Sequence, residues 1–328
     1  MPVSGKRGFT LIEALTSLAI LSVIVVVLVA ATRATSDVFR RSNSQVETFQ
    51  TARAAFQDML RDISQATLNT RWDYDDPNNP TTYRRSSGLH FVLGANLLPS
   101  SIVTTTSSIF FVIPNSWSAD PALSRVGGLL SAWGYYVELD DDTALRPANY
   151  TGSLRTRYRL MRLSGRTENL QIYNQENPSA TDFTWFTSEV NAGRSAPVAE
   201  NIIALVAWPR LAVSEDPDGN DLSTDYSWNS RLNATDSPQP IQAHQMPPLL
   251  DVTMVAIGEQ SAERLQRSNA LRTTVETALN GLFQGSTESR YRDDVQTLEQ
   301  RLQSLNPPVD YRIFRDTVVI RENKWSSS

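Results

Sequence analysis

The chain begins with a continuous apolar segment that differs from everything after it. Residues 9–31 are almost entirely apolar and contain a single charged residue, Glu13. As a helix of about 23 residues at ~1.5 Å per residue, this segment would span roughly 30 Å, the thickness of one bilayer core. Lys6 and Arg7 precede it, and basic residues before a membrane helix favour a cytoplasmic N-terminus. The pattern therefore predicts a membrane-spanning helix.

The next segment has the spacing of an amphipathic helix. Between residues 32 and 68, apolar residues recur mostly every three or four positions, which predicts one face packed on a core: Val38, Val46, Phe49, Ala52, Phe56, Leu60 and Ile63. No proline interrupts residues 3–76, so one helix running through both segments is expected. Two helices with a kink near Ser36 are the alternative. Residues 69–87 are polar with two prolines and predict a loop.

Short strand-like runs follow this loop. They occupy residues 89–93, 108–113, 133–139 and 158–163, with turn residues between them, and predict an antiparallel meander rather than βαβ units. Further apolar elements follow at residues 197–213 and 247–257, and a last strand is expected at residues 311–321.

Residues 259–305 change to helical spacing. They predict two amphipathic helices separated by a break near residues 281–286. The expected fold class is therefore α+β: a long N-terminal transmembrane and amphipathic helix packed on an antiparallel β-sheet head, with a helical insertion near the C-terminus. The aromatic segment at residues 183–186 is predicted to pack against the sheet, with an exposed partner surface as the alternative.

Composition excludes several classes of function. The net charge is −5, from 35 acidic and 30 basic residues, and nucleic-acid-binding domains are usually strongly basic. The absence of cysteine excludes disulfides and thiolate metal sites. Two histidines, His90 and His244, leave little material for histidine catalysis or a zinc site. No catalytic constellation can be assembled from the remaining residues, so we expect neither an enzyme nor a cofactor.

One segment has a weak likeness to a calcium-binding loop. Asp216, Asp218 and Asn220 alternate as the oxygen ligands of such a loop do. However, a glycine follows Asp218 directly, and Ser227 stands where a bidentate glutamate is needed. A surface turn explains the pattern better, and the same interpretation applies to the acidic clusters at residues 73–76 and 140–142.

Glu13 is the residue whose position most clearly requires a polar or charged partner. A lone carboxylate in an apolar segment is costly unless it gains a partner, and such a residue indicates function. Cleavage between Gly8 and Phe9 would create an α-amino group at a similar depth. A neighbouring subunit could then present that amine to Glu13. A cleaved secretory signal fits less well, because its apolar core is shorter and its small residues follow that core.

The residues Gly8-Phe9-Thr10-Leu11-Ile12-Glu13 resemble the prepilin processing motif of type IV pilins and type II secretion pseudopilins. This resemblance implies cleavage after Gly8 and N-methylation of Phe9 by a membrane prepilin peptidase. It also implies that Glu13, as the fifth residue of the mature chain, sets the register between subunits.

Two later stretches resemble narrower groups. Ala199-Glu200-Asn201, Trp228 and the run from Pro247 to Val255 are similar to the head of the J class of minor pseudopilins. The helical insertion followed by a last strand resembles the cassette C proteins of verrucomicrobial bacteria.

Together these patterns predict a structural subunit with the following divisions: a leader at 1–8, a membrane and assembly segment at 9–31, an amphipathic continuation at 32–68, a β-rich head at 69–258, a helical insertion at 259–305, and a C-terminal strand and tail at 306–328. The expected partners are a prepilin peptidase, other pilin or pseudopilin subunits and inner-membrane lipid, but no nucleic acid. The N-terminus would be cytoplasmic and the head periplasmic.

The alternative is an anchored periplasmic binding or adhesion protein that does not polymerise, or a pilus subunit that binds through exposed aromatic residues such as Trp185.

Overall fold

The computed structural model describes residues 10–76, 78–114, 118–123, 126–172, 179–217, 222, 226–236, 238–285, 287–306 and 308–325, apart from the side chains of residues 37 and 40–42. The chain divides into two compact units, Met1–Glu47 and Thr48–Ser328. The second unit contains the sheets and their cores.

The first element is one uninterrupted helix, α1 (Leu11–Ile63). The prediction of a single helix through both segments is confirmed, and the alternative of two helices divided near Ser36 is wrong. The helix ends five residues earlier than the predicted limit of 68. Its apolar stripe is buried only in the second unit, at Ala52, Ala55, Phe56, Met59 and Ile63. Val38 and Val46, which the spacing had placed on the same core-facing stripe, are exposed.

Eleven strands follow within the described ranges: β1 (Arg71–Tyr74), β2 (Tyr83–Ser86), β3 (Val92–Gly94), β4 (Ser108–Ile113), β5 (Ser131–Asp140), β6 (Arg157–Ser164), β7 (Ser195–Glu200), β8 (Ile202–Arg210), β9 (Trp228–Asn229), β10 (Leu249–Ile257) and β11 (Tyr311–Val319). The largest sheet has the order β7-β6-β5-β4-β3-β9, and all its pairings are antiparallel. The predicted meander is therefore confirmed, because β3 to β7 pair in chain order. A second sheet has the order β11-β10-β8.

Three local predictions were wrong. Residues 69–87 are not a plain loop, because β1 and β2 form an antiparallel hairpin with Tyr74 opposite Tyr83. The first predicted strand, at 89–93, begins only at Val92. The apolar run from 197 is two strands in different sheets, since Asn201 between them has φ of 62° and turns the chain. Asparagine tolerates this left-handed conformation better than most residues do.

The helices of the second unit are α2 (Thr184–Asn191), α3 (Glu259–Arg267), α4 (Leu271–Leu279) and α5 (Glu288–Ser304). The prediction of two helices at 259–305 was wrong in number, because α3 ends before α4 begins. Asn269 has φ of 53°, and the Ala270 amide donates to the carbonyl of Leu265, which is the pattern of a helix C-cap. The expected break near 281–286 is present between α4 and α5. These three helices connect β10 to β11, two strands that pair directly.

The aromatic segment packs in the core. Trp185 and Phe186 on α2 are both buried, and the Phe186 ring stacks on Phe110 of β4 at 3.9 Å between centroids. Core packing of this segment is confirmed. The alternative required Trp185 to be an exposed binding residue, and it is wrong because Trp185 is buried.

Candidate processing and assembly site

The start of α1 is closed by a reciprocal pair of hydrogen bonds. The backbone N–H of Thr10 donates to Oε2 of Glu13 at 2.9 Å, and the N–H of Glu13 donates to Oγ1 of Thr10 at 3.3 Å. The Thr10 hydroxyl also donates to the same Oε2 at 2.9 Å. This is a capping box, in which the first residue and the third helical residue satisfy each other's free N–H groups. Such a cap stabilises a helix end by about 1 kcal/mol.

Glu13 therefore has a local partner but no counter-charge. No cation of the described part of the chain forms an ion pair with it, and Oε1 accepts no hydrogen bond there. Its side chain is exposed on the helix surface. Gly8, Phe9, Lys6 and Arg7, which the sequence predicts as the processing site and its basic leader, lie outside the described residues. Of the predicted site the structure therefore describes Glu13 alone, and cleavage after Gly8 and methylation of Phe9 remain predictions.

No other described residue covers the apolar part of α1. Leu11–Ser36 is long and apolar enough to cross a membrane by length and composition, and none of its most apolar stretch is buried in the chain. Several hydroxyls in this span are satisfied within the helix by carbonyls three or four residues earlier, at Thr16, Ser22, Thr32 and Thr35. In a bilayer, polar groups must find partners inside the structure, so this arrangement suits a lipid surrounding.

The other end of α1 is attached to the head by a buried polar contact. The Tyr135 hydroxyl on β5 donates to Oδ2 of Asp62 at 2.6 Å, and both side chains are buried. Burial raises the pKa of the Asp62 carboxyl, although the hydrogen bond from Tyr135 opposes that shift. Arg321, after the last strand, donates its backbone N–H to the Ser64 carbonyl at 3.2 Å. The helix end is therefore fixed by both the sheet and the C-terminal segment.

The helical insertion is held to the main sheet by an ionic network. Glu259, the first residue of α3, accepts from Arg157 of β6 at 2.7 Å and from Arg155 at 2.9 Å. Its second oxygen accepts from Asn201 at 2.7 Å. Burial alone would raise the pKa of Glu259, but the hydrogen bonds from Arg157 and Asn201 outweigh it and hold that pKa below its ordinary value. Arg157 is fully buried, so this network is structural.

The weak calcium candidate gains no support. Asp216 is buried, whereas Asp218 and Asn220 lie outside the described residues. Within the described ranges, no group of three or more His, Cys, Asp or Glu side chains is placed to hold a metal ion. The acidic cluster at 73–76 organises a turn: Asp75 accepts from the Thr81 and Thr82 amides at 2.9 and 3.1 Å.

His90 is a buried residue with two side-chain contacts, and His244 is half-buried. His90 lies just before β3 rather than in a strand, and it accepts from the Trp185 indole N–H at 3.1 Å through Nδ1. Its Nε2 lies 2.9 Å from Oδ1 of Asn229. Burial lowers the pKa of His90 to about 3 and that of His244 to about 4. The sequence offered no partner for His244, whose carbonyl accepts from the Thr70 hydroxyl at 2.6 Å.

Sequence reasoning missed two features. The capping box could have been predicted from the sequence. Its signature is a threonine followed three residues later by a glutamate, just before an apolar run. The β1–β2 hairpin exposes Trp72, Tyr74 and Tyr83 on the surface. Its signal was the alternation of aromatic and charged residues in Arg71–Tyr74, which two nearby prolines obscured.

Comparison with protein families adds one finding: residues 3–29 match the model described as "Prokaryotic N-terminal methylation motif". Comparisons with curated proteins and with solved structures found no match. The matched motif is of the prepilin type, and it indicates a pilin-like protein that is processed by a prepilin peptidase. Together with the exposed apolar helix, the motif is consistent with membrane anchoring.

Proposed function

We propose that this chain is a minor pilin or pseudopilin subunit that assembles into a type IV pilus-like or type II secretion filament. The observation that carries the proposal is the methylation motif at residues 3–29, which overlaps the first part of an unbroken helix, Leu11–Ile63, with an uncovered apolar surface. Prepilin peptidase would cleave after Gly8 and methylate the new amine of Phe9. The chain has no enzymatic activity in this account; its role is structural.

The finer family assignment is part of the proposal. The Ala199-Glu200-Asn201 segment and the strand that includes Val255 support a J-class minor pseudopilin head. The α3–α5 insertion before β11 supports the verrucomicrobial cassette C group. A minor subunit also fits the large head, since a bulky head would crowd the repeated lattice of a major subunit.

Assembly must be selected by polar interactions. When α1 moves from lipid into the core of a filament, its apolar surface stays in an apolar surrounding, so little apolar free energy is gained. A buried carboxylate without a cation is costly, and a matching amine removes that cost. Oε2 of Glu13 is held by Thr10, while Oε1 stays available in the described structure. The α-amine of Phe9 on a neighbouring subunit is the proposed partner.

The test separates processing from assembly. Glu13→Gln keeps an oxygen that can accept from Thr10 but removes the charge. We expect normal cleavage after Gly8, measured by mass spectrometry, and a loss of at least about tenfold in sheared filaments that contain this subunit. The matched control is Glu47→Gln, an exposed carboxylate of the same helix, which should leave both readouts unchanged.

The rival is a membrane-anchored periplasmic protein that does not polymerise. Under that rival the Glu13→Gln and Glu47→Gln variants behave alike, and neither variant nor the unchanged protein enters filaments. Such a result would overturn the assembly proposal.

A further inference from the structure

The β1–β2 hairpin presents aromatic side chains to solvent. Trp72, Tyr74 and Tyr83 are 55%, 46% and 64% exposed, whereas Trp185 and Trp228 are buried in the core. Tyr74 and Tyr83 are direct cross-strand partners, and their rings stack at 4.9 Å between centroids. Trp72 lies two residues before Tyr74, so it belongs to the same face of the hairpin. A contiguous exposed aromatic surface of this kind marks a binding site more often than an isolated exposed residue does.

Trp72 and Tyr83 border a groove of about 480 Å³ between the hairpin and residues 235, 236, 238 and 239. That volume lies within the range of roughly 300–1,000 Å³ that is typical of pockets for small ligands. Trp72 and Tyr83 form its aromatic wall, and polar residues of both segments line the rest, among them Asp76, Thr235 and Asp236.

The groove is held in shape by buried contacts. Arg85 lies opposite Trp72 in the hairpin but is itself buried. Its Nε donates to the Ala243 carbonyl at 3.0 Å and one terminal nitrogen donates to the Pro240 carbonyl at 2.8 Å. Gln239 bonds both the N–H and the C=O of Arg85, at 2.8 and 3.0 Å. A site that is fixed before binding loses less conformational entropy when a ligand arrives.

Several groups in the groove keep unused hydrogen-bonding capacity. The Asp236 carboxylate, the Thr235 hydroxyl and the Trp72 indole N–H make no side-chain hydrogen bond to any other described residue. They supply donors and acceptors around an aromatic surface. A sugar ring has the complementary character, because its C–H face is apolar and its rim carries hydroxyls that both donate and accept.

We propose that this groove binds a neutral oligosaccharide of the β-1,4-glucan type. Sugar rings would lie on Trp72 and Tyr83, and their hydroxyls would pair with Asp236 and Thr235. All-equatorial hydroxyls leave both faces of such a ring apolar and flat, which suits stacking on an exposed aromatic ring. The groove carries the carboxylates of Asp75, Asp76 and Asp236 against the Arg85 guanidinium, which is already bonded to backbone carbonyls, so its net negative charge disfavours an anionic polysaccharide. This activity is independent of the proposed filament assembly and goes beyond it.

The test measures cellohexaose binding to the full chain by isothermal titration calorimetry, in a zwitterionic detergent without a sugar headgroup. We expect a Kd below about 1 mM, and a loss of at least about tenfold in Trp72→Ala and in Tyr83→Ala. Trp72→Phe keeps an aromatic face, so it should stay within about threefold of the unchanged protein. The matched control is Tyr150→Ala, a tyrosine that is 60% exposed elsewhere on the head, which should bind normally.

Three results would overturn the proposal. One is no detectable binding of cellohexaose at about 10 mM. Another is binding that survives both alanine substitutions. The third is tighter binding of hexagalacturonic acid or of decaproline than of cellohexaose; decaproline tests the peptide mode in which proline-rich segments dock on aromatic grooves. Because the protein is unassembled in this assay, its outcome does not depend on whether filaments form.

Discussion

Gly134 lies in the middle of β5, opposite Phe110 on β4. A Cβ atom at this position would stand 2.2 Å from Cδ1 of Phe110 and 2.8 Å from the carbonyl oxygen of Ile109. The phenyl ring cannot move away easily, because it stacks on Phe186 at 3.9 Å between centroids with the rings 8° from parallel. Gly134→Ala should therefore strain the main sheet directly beneath α2.

The magnitude follows from these contacts. Overpacking of a core costs about 1–3 kcal/mol, and a clash that involves backbone belongs at the upper end. Alanine recovers about 0.4–1 kcal/mol by restricting the unfolded chain, which leaves a net loss of about 2 kcal/mol. For a unit of this size we expect the thermal midpoint to fall by roughly 4–8 °C.

The assay is thermal unfolding of the full chain in detergent, followed by near-ultraviolet circular dichroism. Gly127→Ala is the control, because a Cβ there has no atom within 4 Å, and it should be neutral or slightly stabilising. Adding Phe110→Leu to Gly134→Ala should relieve the clash, so the two changes should be coupled by more than about 0.5 kcal/mol. Equal stability of the two alanine variants, or simple additivity in the cycle, would refute the reasoning.

Three further predictions concern buried polar groups. Burial lowers the pKa of His90 from 6.5 to about 3, so the unfolded chain binds a proton that the folded chain does not. The contribution of His90 to stability therefore falls below about pH 6.5, by about 2 kcal/mol at pH 5, and urea unfolding at pH 7 and 5 should show a smaller loss in His90→Gln. Glu259→Gln leaves Arg157 buried without a counter-charge and should cost about 2 kcal/mol, measured by the urea midpoint; an unchanged midpoint would contradict the role of the network. Tyr135→Phe removes the donor to Asp62 and should cost about 1–3 kcal/mol by the same measurement, while no change would mean that Asp62 is satisfied elsewhere.

The parts of the fold that depend on local pattern could be predicted from the sequence. The uninterrupted course of α1 and the bounds of β4 follow from residue spacing and from the absence of proline. The boundaries between β7 and β8 and between α3 and α4 were not predicted, because each depends on one residue in the left-handed backbone conformation. At Asn201 and Asn269 a strand or helix ends although the hydrophobic pattern continues past it. An asparagine in the sequence does not by itself predict a positive φ.

The candidate sites also differ in how far the sequence could predict them. Gly8, Phe9 and Glu13 form a contiguous motif, so sequence alone could propose the whole of it. The aromatic groove could not be predicted, since its two walls come from residues near 72–85 and 235–239, which only the folded chain brings together. Core packing of Trp185 was predicted, but its indole partner His90 lies far away in the sequence and could not be.

The measurement that tests the central claim most directly is intact mass with N-terminal sequencing of the protein from its native membranes. The account predicts a chain that begins at Phe9 and carries one methyl group, an addition of about 14 Da. A chain that still begins at Met1 where prepilin peptidase is active would contradict it, because Glu13 would then have no new amine to meet.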